Sequence, residues 1–127
     1  MNGIDTNILV RYLTADDQSQ YQQVLKLLQS ESAAYISPIV WIETVWVLTH
    51  FYHISIERQS EELAKLLEIE TFVVDNPAVV LKALKAYRAG YDFADAMIGL
   101  NNALHCKTTW TFDKKAARMS EFTRLDW

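Results

Sequence analysis

The chain has little with which to staple or interrupt a regular fold. Of its 127 residues only three are Gly, two are Pro and one is Cys. A single cysteine excludes an internal disulfide and fits a reducing cytosol; Cys106 is expected as a small buried hydrophobe. No low-complexity tract, long disordered tail or internal repeat is present. No apolar run approaches the ~20 residues that a membrane span needs. No basic segment precedes an apolar one at the N-terminus, so no signal peptide is expected and a cytoplasmic location is. An excess of positive charge is also missing. The formal net charge is −4, which argues against a broad electrostatic clamp on nucleic acid but not against a local basic groove. Half of the residues are hydrophobic and 22% are charged, an ordinary globular composition with a helical bias. Residues 1–127 are expected to form one domain large enough to bury a core.

Short strands and helices alternate along the chain. Met1–Ile4 predicts a strand ending at Asp5, short and frayed because Asn2-Gly3 is weak strand sequence. A helix follows from Thr6 or Asn7 to Leu13. Asp16-Asp17 starts a second helix, whose apolar stripe is Val24, Leu25, Leu27 and Leu28, ending near Ser30. Ala33–Ser37 reads as a strand, and Ser37-Pro38 as an N-cap with Pro at the first helical position. The helix from Ile39 to about Tyr52 is apolar nearly all round. Ser55 caps another helix, Thr71–Val74 is a β-branched strand, and Asn76-Pro77 repeats the cap-and-proline signature. That helix ends at Gly90, a plausible C′ residue. Asp92 begins the helix Phe93–Leu104. Thr108–Phe112 is a strand followed by a short helix over Lys114–Met119, and Phe122–Leu125 is a last edge strand. This order predicts an α/β fold, with a mostly parallel sheet and helices on both of its faces.

Four acidic residues stand where a charge is costly, at the end of an apolar stretch or on the apolar side of a helix: Asp5, Glu43, Asp95 and Asp113. A half-buried carboxylate without a partner costs several kcal/mol. Asp5 and Asp113 follow strands, and Glu43 and Asp95 lie in the first turns of helices. All four therefore plausibly share the carboxyl-end rim, where such sheets bind ligands. Carboxylates with no His or Cys beside them suit Mg²⁺ or Mn²⁺, not Zn²⁺. Such ions serve phosphodiester cleavage. Thr6, Asn7 and Thr111 would supply neutral polar groups around them.

Each acid also has a structural alternative. Asp5 and Asp113 are placed to be N-caps, and Asp92 and Asp95, three apart, resemble a capping box. For Asp92 and Asp113 taken singly, capping is the better reading. Glu43 is different, because it sits among Trp41, Ile42, Val45 and Trp46 on a helix with no evident solvent face. His50 and His53 have a spacing that can hold metal, but with no acid or Cys near them they read as surface or packing residues. Trp41, Trp46, Tyr12 and Phe51 have the form to stack bases, yet their helical spacing favours core or interface. Excess apolar surface on the Ile39–Tyr52 helix, with Tyr12, Leu13 and Leu28, points to an interface.

Gly-Ile-Asp-Thr-Asn-Ile-Leu-Val-Arg-Tyr-Leu resembles the opening of PIN-domain proteins, most closely the VapC toxins of bacterial toxin–antitoxin pairs. Ser-Pro-Ile-Val-Trp-Ile-Glu-Thr-Val, Asp-Phe-Ala-Asp-Ala-Met-Ile and Thr-Phe-Asp-Lys-Lys match in order, so the resemblance spans the whole chain. It implies a three-layer α/β/α sandwich with a mostly parallel central sheet of four to five short strands. It implies an endoribonuclease in which Asp5, Glu43, Asp95 and Asp113 hold Mg²⁺ and Asp92 is an accessory acid. It also implies a homodimer and an antitoxin protein as partners.

For the RNA phosphates, Lys114 and Lys115 are favoured because they neighbour Asp113. Arg11 either serves substrate or pairs with an acid. Lys82, Lys85 and Arg88, spaced three apart, read either as a solvated helix face or as further phosphate contacts. Two other classes stay open: a PIN-like RNA-binding or scaffold module with little catalysis, and a phosphoryl-transfer domain using Asp5 as nucleophile.

Overall fold

The computed structural model describes residues 1–126. The chain divides into two compact units, the first Met1–Asp75 and the second running from Asn76. The first contains strand β1 (Asn2–Gly3), helices α1 (Thr6–Thr14) and α2 (Gln18–Ser30), strand β2 (Ala34–Tyr35), helices α3 (Pro38–His50) and α4 (Ile56–Leu66), and strand β3 (Phe72–Val73). The second contains α5 (Pro77–Arg88), α6 (Phe93–Asn102), β4 (Thr109–Thr111), a single 3-10 turn (Ala116–Arg118) and β5 (Phe122–Arg124). The alternation predicted from sequence is thus present, and every strand pairing is parallel. In the first unit the order is β1-β2-β3, with Asn2 opposite Ala34 and Ala34 opposite Phe72. In the second, β4 pairs with β5, Thr109 opposite Phe122.

Local chemistry explains where the helices begin. Asp5, Asp17, Ser37, Ser55 and Asp92 occupy N-cap positions, and each side chain accepts the backbone N–H three residues on. Each bond satisfies one of the donors a helix start leaves open. Pro38 and Pro77 fit in the first turn, where no intrahelical N–H is needed. Asn76 sits at the cap position without a side-chain bond. Gly90, at φ 105°, supplies the left-handed residue after α5.

The parallel register puts the ends of β1, β2 and β3 on one side of their sheet, so Asp5 and the start of α3 lie at the same rim of the first unit. The Tyr35 hydroxyl donates to Asp75 at 2.7 Å, tying β2 to the residues just after β3. The core of this unit gathers Leu9, Val24, Ile36, Trp41, Leu48 and Leu63, all buried. In the second unit α5 packs on α6 around Ala83, Leu84, Phe93 and Met97, with Tyr87 and Phe93 in an edge-on ring contact at 5.8 Å. No helix of the described residues is long and apolar enough to cross a membrane.

Two expectations from sequence need correction. Cys106 is exposed, not buried, because it lies in the turn after α6 and not on an apolar face. Helix α3 stops at His50, and His53 adopts φ 51° beyond it, so the two histidines do not share a helical face. On α2, Val24 is the fully buried member of the apolar stripe.

Candidate active site

In the first unit, Asp5 and Glu43 line one concavity of about 600 Å³ together with Thr6, Asn7, Ile42, Trp46 and Val47. Two elements position the acids. Asp5 is the N-cap of α1, its Oδ1 accepting the Ile8 amide at 3.1 Å. Glu43 projects from α3, and the Thr6 hydroxyl donates to its Oε1 at 2.8 Å. Thr6 thereby ties the start of α1 to a carboxylate far away in sequence.

In the second unit, Asp92 caps α6 by accepting the Asp95 amide at 3.0 Å. Asp113 accepts the amides of Lys115 and Ala116, both at 2.8 Å, and donates its own amide to the Thr111 hydroxyl at 3.0 Å. Asp95 has its carboxyl pushed above the ordinary carboxylate range, first by burial and then by the negative charges of Asp92 and Asp113. Those three acids therefore act on one another electrostatically.

Burial differs from the sequence expectation. Asp5, Glu43, Asp92 and Asp113 are exposed, and Asp95 alone is half-buried. Helix α3, apolar as it is, does keep a solvent face, on which Ile39, Glu43, Trp46 and His50 lie. Capping and chemistry are also not exclusive. Asp5, Asp92 and Asp113 each engage one carboxylate oxygen in a cap, and a carboxylate has a second oxygen with acceptor sites of its own.

Among the described residues, no group of three His, Cys, Asp or Glu side chains stands ready to hold a metal ion. The donors fit one in kind. Those around the concavity of the first unit, Asp5, Thr6, Asn7 and Glu43, offer hard oxygens.

Of the basic candidates, Arg11 shows the second of its two roles, an ion pair with Asp16. Its Nε also donates to Gln20 at 2.8 Å. Lys114 and Lys115 are exposed and form no ion pair among the described residues. Lys82, Lys85 and Arg88 are exposed along α5. Of the aromatic candidates, Trp46 is not core: it stands 55% exposed, in the same concavity as Asp5 and Glu43.

No curated protein and no solved structure matches the chain. A protein-family model, PIN domain, matches residues 4–121. PIN domains are generally nucleases that act on nucleic acid and use divalent metal ions. Among the described residues, six helices, a parallel three-stranded sheet and a parallel two-stranded sheet are consistent with the PIN-like α/β/α fold. Matched over nearly its whole length, the chain belongs to the PIN-domain family.

Proposed function

We propose that the chain is a Mg²⁺-dependent endoribonuclease, the toxin of a type II toxin–antitoxin pair. The observation that carries most weight is the concavity of the first unit, where Asp5 and Glu43 face the same space and Thr6 holds Glu43 in place. In this reading Asp5, Glu43, Asp95 and Asp113 hold the ion, with Asp92, Asn7 and Thr111 as accessories. A bound divalent ion would lower the pKa of a water and neutralise charge developing on the phosphate. The protein's own part is to orient its carboxylates by caps and by the Thr6 bond. Lys114 and Lys115 neighbour Asp113 and take RNA phosphates. Mn²⁺, which takes the same oxygen ligands, is the alternative ion.

The family match runs through both units, which supports reading residues 1–127 as one domain. The toxin role rests on the resemblance of the opening segment to VapC toxins. It carries with it an antitoxin partner, a homodimer and a cytoplasmic location. The apolar exposed residues of α3, Ile39 and Trp46, are suited to such contacts.

The test is cleavage of RNA by the purified chain, free of any co-expressed partner, with Mg²⁺, with Mn²⁺ and with EDTA, beside Asp5→Asn and Asp95→Asn. Metal-dependent cleavage lost in both variants is the expected result. The lack of a ready-made three-acid cluster favours a second reading, an RNA-binding or scaffold module with little catalysis. RNA binding with no cleavage under any metal would establish that reading instead.

A further inference from the structure

Trp46 is a large apolar side chain in a place that burial does not explain. It lies three residues after Glu43 on α3, so the two share a helical face. It is 55% exposed. Its indole meets His50 with ring centroids 4.6 Å apart and Phe51 at 6.0 Å, so neighbours on its own helix end hold the ring. It lines the concavity that also contains Asp5, Thr6, Asn7 and Glu43.

From this juxtaposition we infer that Trp46 is a substrate-binding residue, on which an unpaired nucleobase of the RNA stacks while the adjoining phosphate is held at the carboxylates. The inference rests on the nuclease reading and deepens it by naming a residue that would hold a base of the substrate. Three features favour a nucleotide over a protein segment. About 600 Å³ lies within the range of small-molecule sites. The walls are divided: Ile42, Trp46 and Val47 are apolar, while Asp5, Thr6, Asn7 and Glu43 are polar. An apolar protein segment would have to strip water from two carboxylates, whereas a nucleotide presents a flat uncharged ring to the apolar wall and a phosphate to the polar one, where Asp5 and Glu43 would hold a divalent cation to offset the negative charge. Asn7, exposed on the first turn of α1, is chemically suited to pair with a base edge, since its amide both donates and accepts. A duplex hides the faces of its bases, so stacking on an indole selects unpaired nucleotides.

The test is equilibrium binding of a fluorescein-labelled single-stranded RNA decamer to the Asp95→Asn chain in Mg²⁺, alone and combined with Trp46→Leu or Trp46→Phe. RNA cleavage by the unsubstituted chain is measured in parallel. Trp46→Leu is expected to weaken binding roughly 5- to 150-fold, the range for loss of one base–aromatic stack. Trp46→Phe is expected to retain most of the affinity, and a blunt duplex of the same sequence to bind no better than Trp46→Leu binds the single strand. In the active chain the same substitution should raise KM more than it lowers kcat. Trp110→Leu, the same change at an exposed indole of the second unit, is the reference and should have no effect. Unchanged affinity in Trp46→Leu would overturn the inference, leave the nuclease reading standing, and assign the indole to a protein partner. Equal losses in Trp46→Leu and Trp110→Leu would overturn it as non-specific apolar contact. Absence of both binding and cleavage would remove the nuclease reading and the inference together.

Discussion

The hydroxyl of Thr6 donates to the carboxylate of Glu43 at 2.8 Å, linking the first residue of α1 to the middle of α3 across 37 positions of sequence. A carboxylate on an exposed helical face otherwise samples several rotamers, and this bond selects one. Thr6→Val keeps the shape and removes the donor. It is expected to lower cleavage roughly 10-fold or more, in line with the loss of other groups that orient metal ligands, and to raise the Mg²⁺ concentration needed for half-maximal rate. Thr6→Ser should restore both. Unaltered Mg²⁺ dependence in Thr6→Val would show that Glu43 does not depend on Thr6 for its function.

Asp113 allows a cap to be separated from a charge. Its Oδ1 accepts the amides of Lys115 and Ala116, so Asp113→Ala should cost about 0.5–2 kcal/mol of stability, as the loss of other helix caps does. Asp113→Asn retains an acceptor oxygen and should cost only a few tenths of that range. Both should abolish cleavage if the charge holds the ion. Urea denaturation beside the cleavage assay distinguishes the cases; an active Asp113→Asn would leave Asp113 as a cap alone.

Much of this was legible because helix starts are local events. Asp17, Ser37, Ser55 and Asp92 sit before apolar-periodic segments, and a side chain three residues from the amide it accepts needs no distant partner. Strand limits were less legible. Asn2-Gly3 is poor strand sequence, yet it pairs because Ala34-Tyr35 lies alongside, and non-local pairing leaves no trace in a short window. The α/β class and the acidic candidates therefore came from sequence. The burial of each acid did not, because an apolar helix such as α3 does not reveal which of its faces the rest of the protein covers. Trp41 and Trp46 look alike in sequence, but the first is wholly buried and the second stands beside Glu43.

The pairing of Asp16 predicts a pH dependence. The Tyr52 hydroxyl, at 2.6 Å, and the Arg11 guanidinium lower its pKa from 3.8 to about 2. A depressed carboxylate stabilises the folded state above its unfolded pKa, and that contribution fades as pH falls through the folded value. Asp16→Asn should therefore be less stable than the parent at pH 5 and above. The gap should narrow between about pH 4 and pH 2. It should stay modest throughout, since the group is solvent-exposed and screened. Urea midpoints of both proteins across that window measure it. A gap that widens on acidification would contradict the assignment.

Gly99 is where α6 meets Phe122. A Cβ placed on Gly99 would lie 2.3 Å from Cε2 of the Phe122 ring, closer than atoms can approach. Alanine gains about 1 kcal/mol in helix propensity over glycine, but overpacking typically costs about 1–3 kcal/mol. Gly99→Ala should thus be destabilising on balance in the parent and neutral or stabilising in a Phe122→Leu background. A double-mutant cycle by urea unfolding gives the coupling directly. Additive effects would mean that the ring moves aside without cost.

Thr44 sits one residue from Glu43 but is fully buried, about a quarter-turn away on α3, and its hydroxyl finds no hydrogen-bond partner among the described residues. A buried unpaired hydroxyl costs about 1–3 kcal/mol, whereas its apolar isostere carries no such penalty. Valine matches threonine in shape and keeps the same β-branching on α3. Thr44→Val is therefore expected to stabilise the protein by roughly 1 kcal/mol and raise Tm by a few degrees, with no change in cleavage rate, because the group does not face the concavity. Thermal unfolding with a parallel activity assay tests both halves. A loss of stability would show that the hydroxyl is satisfied by a buried water. A loss of activity at unchanged stability would show that packing beneath α3 sets the position of Glu43.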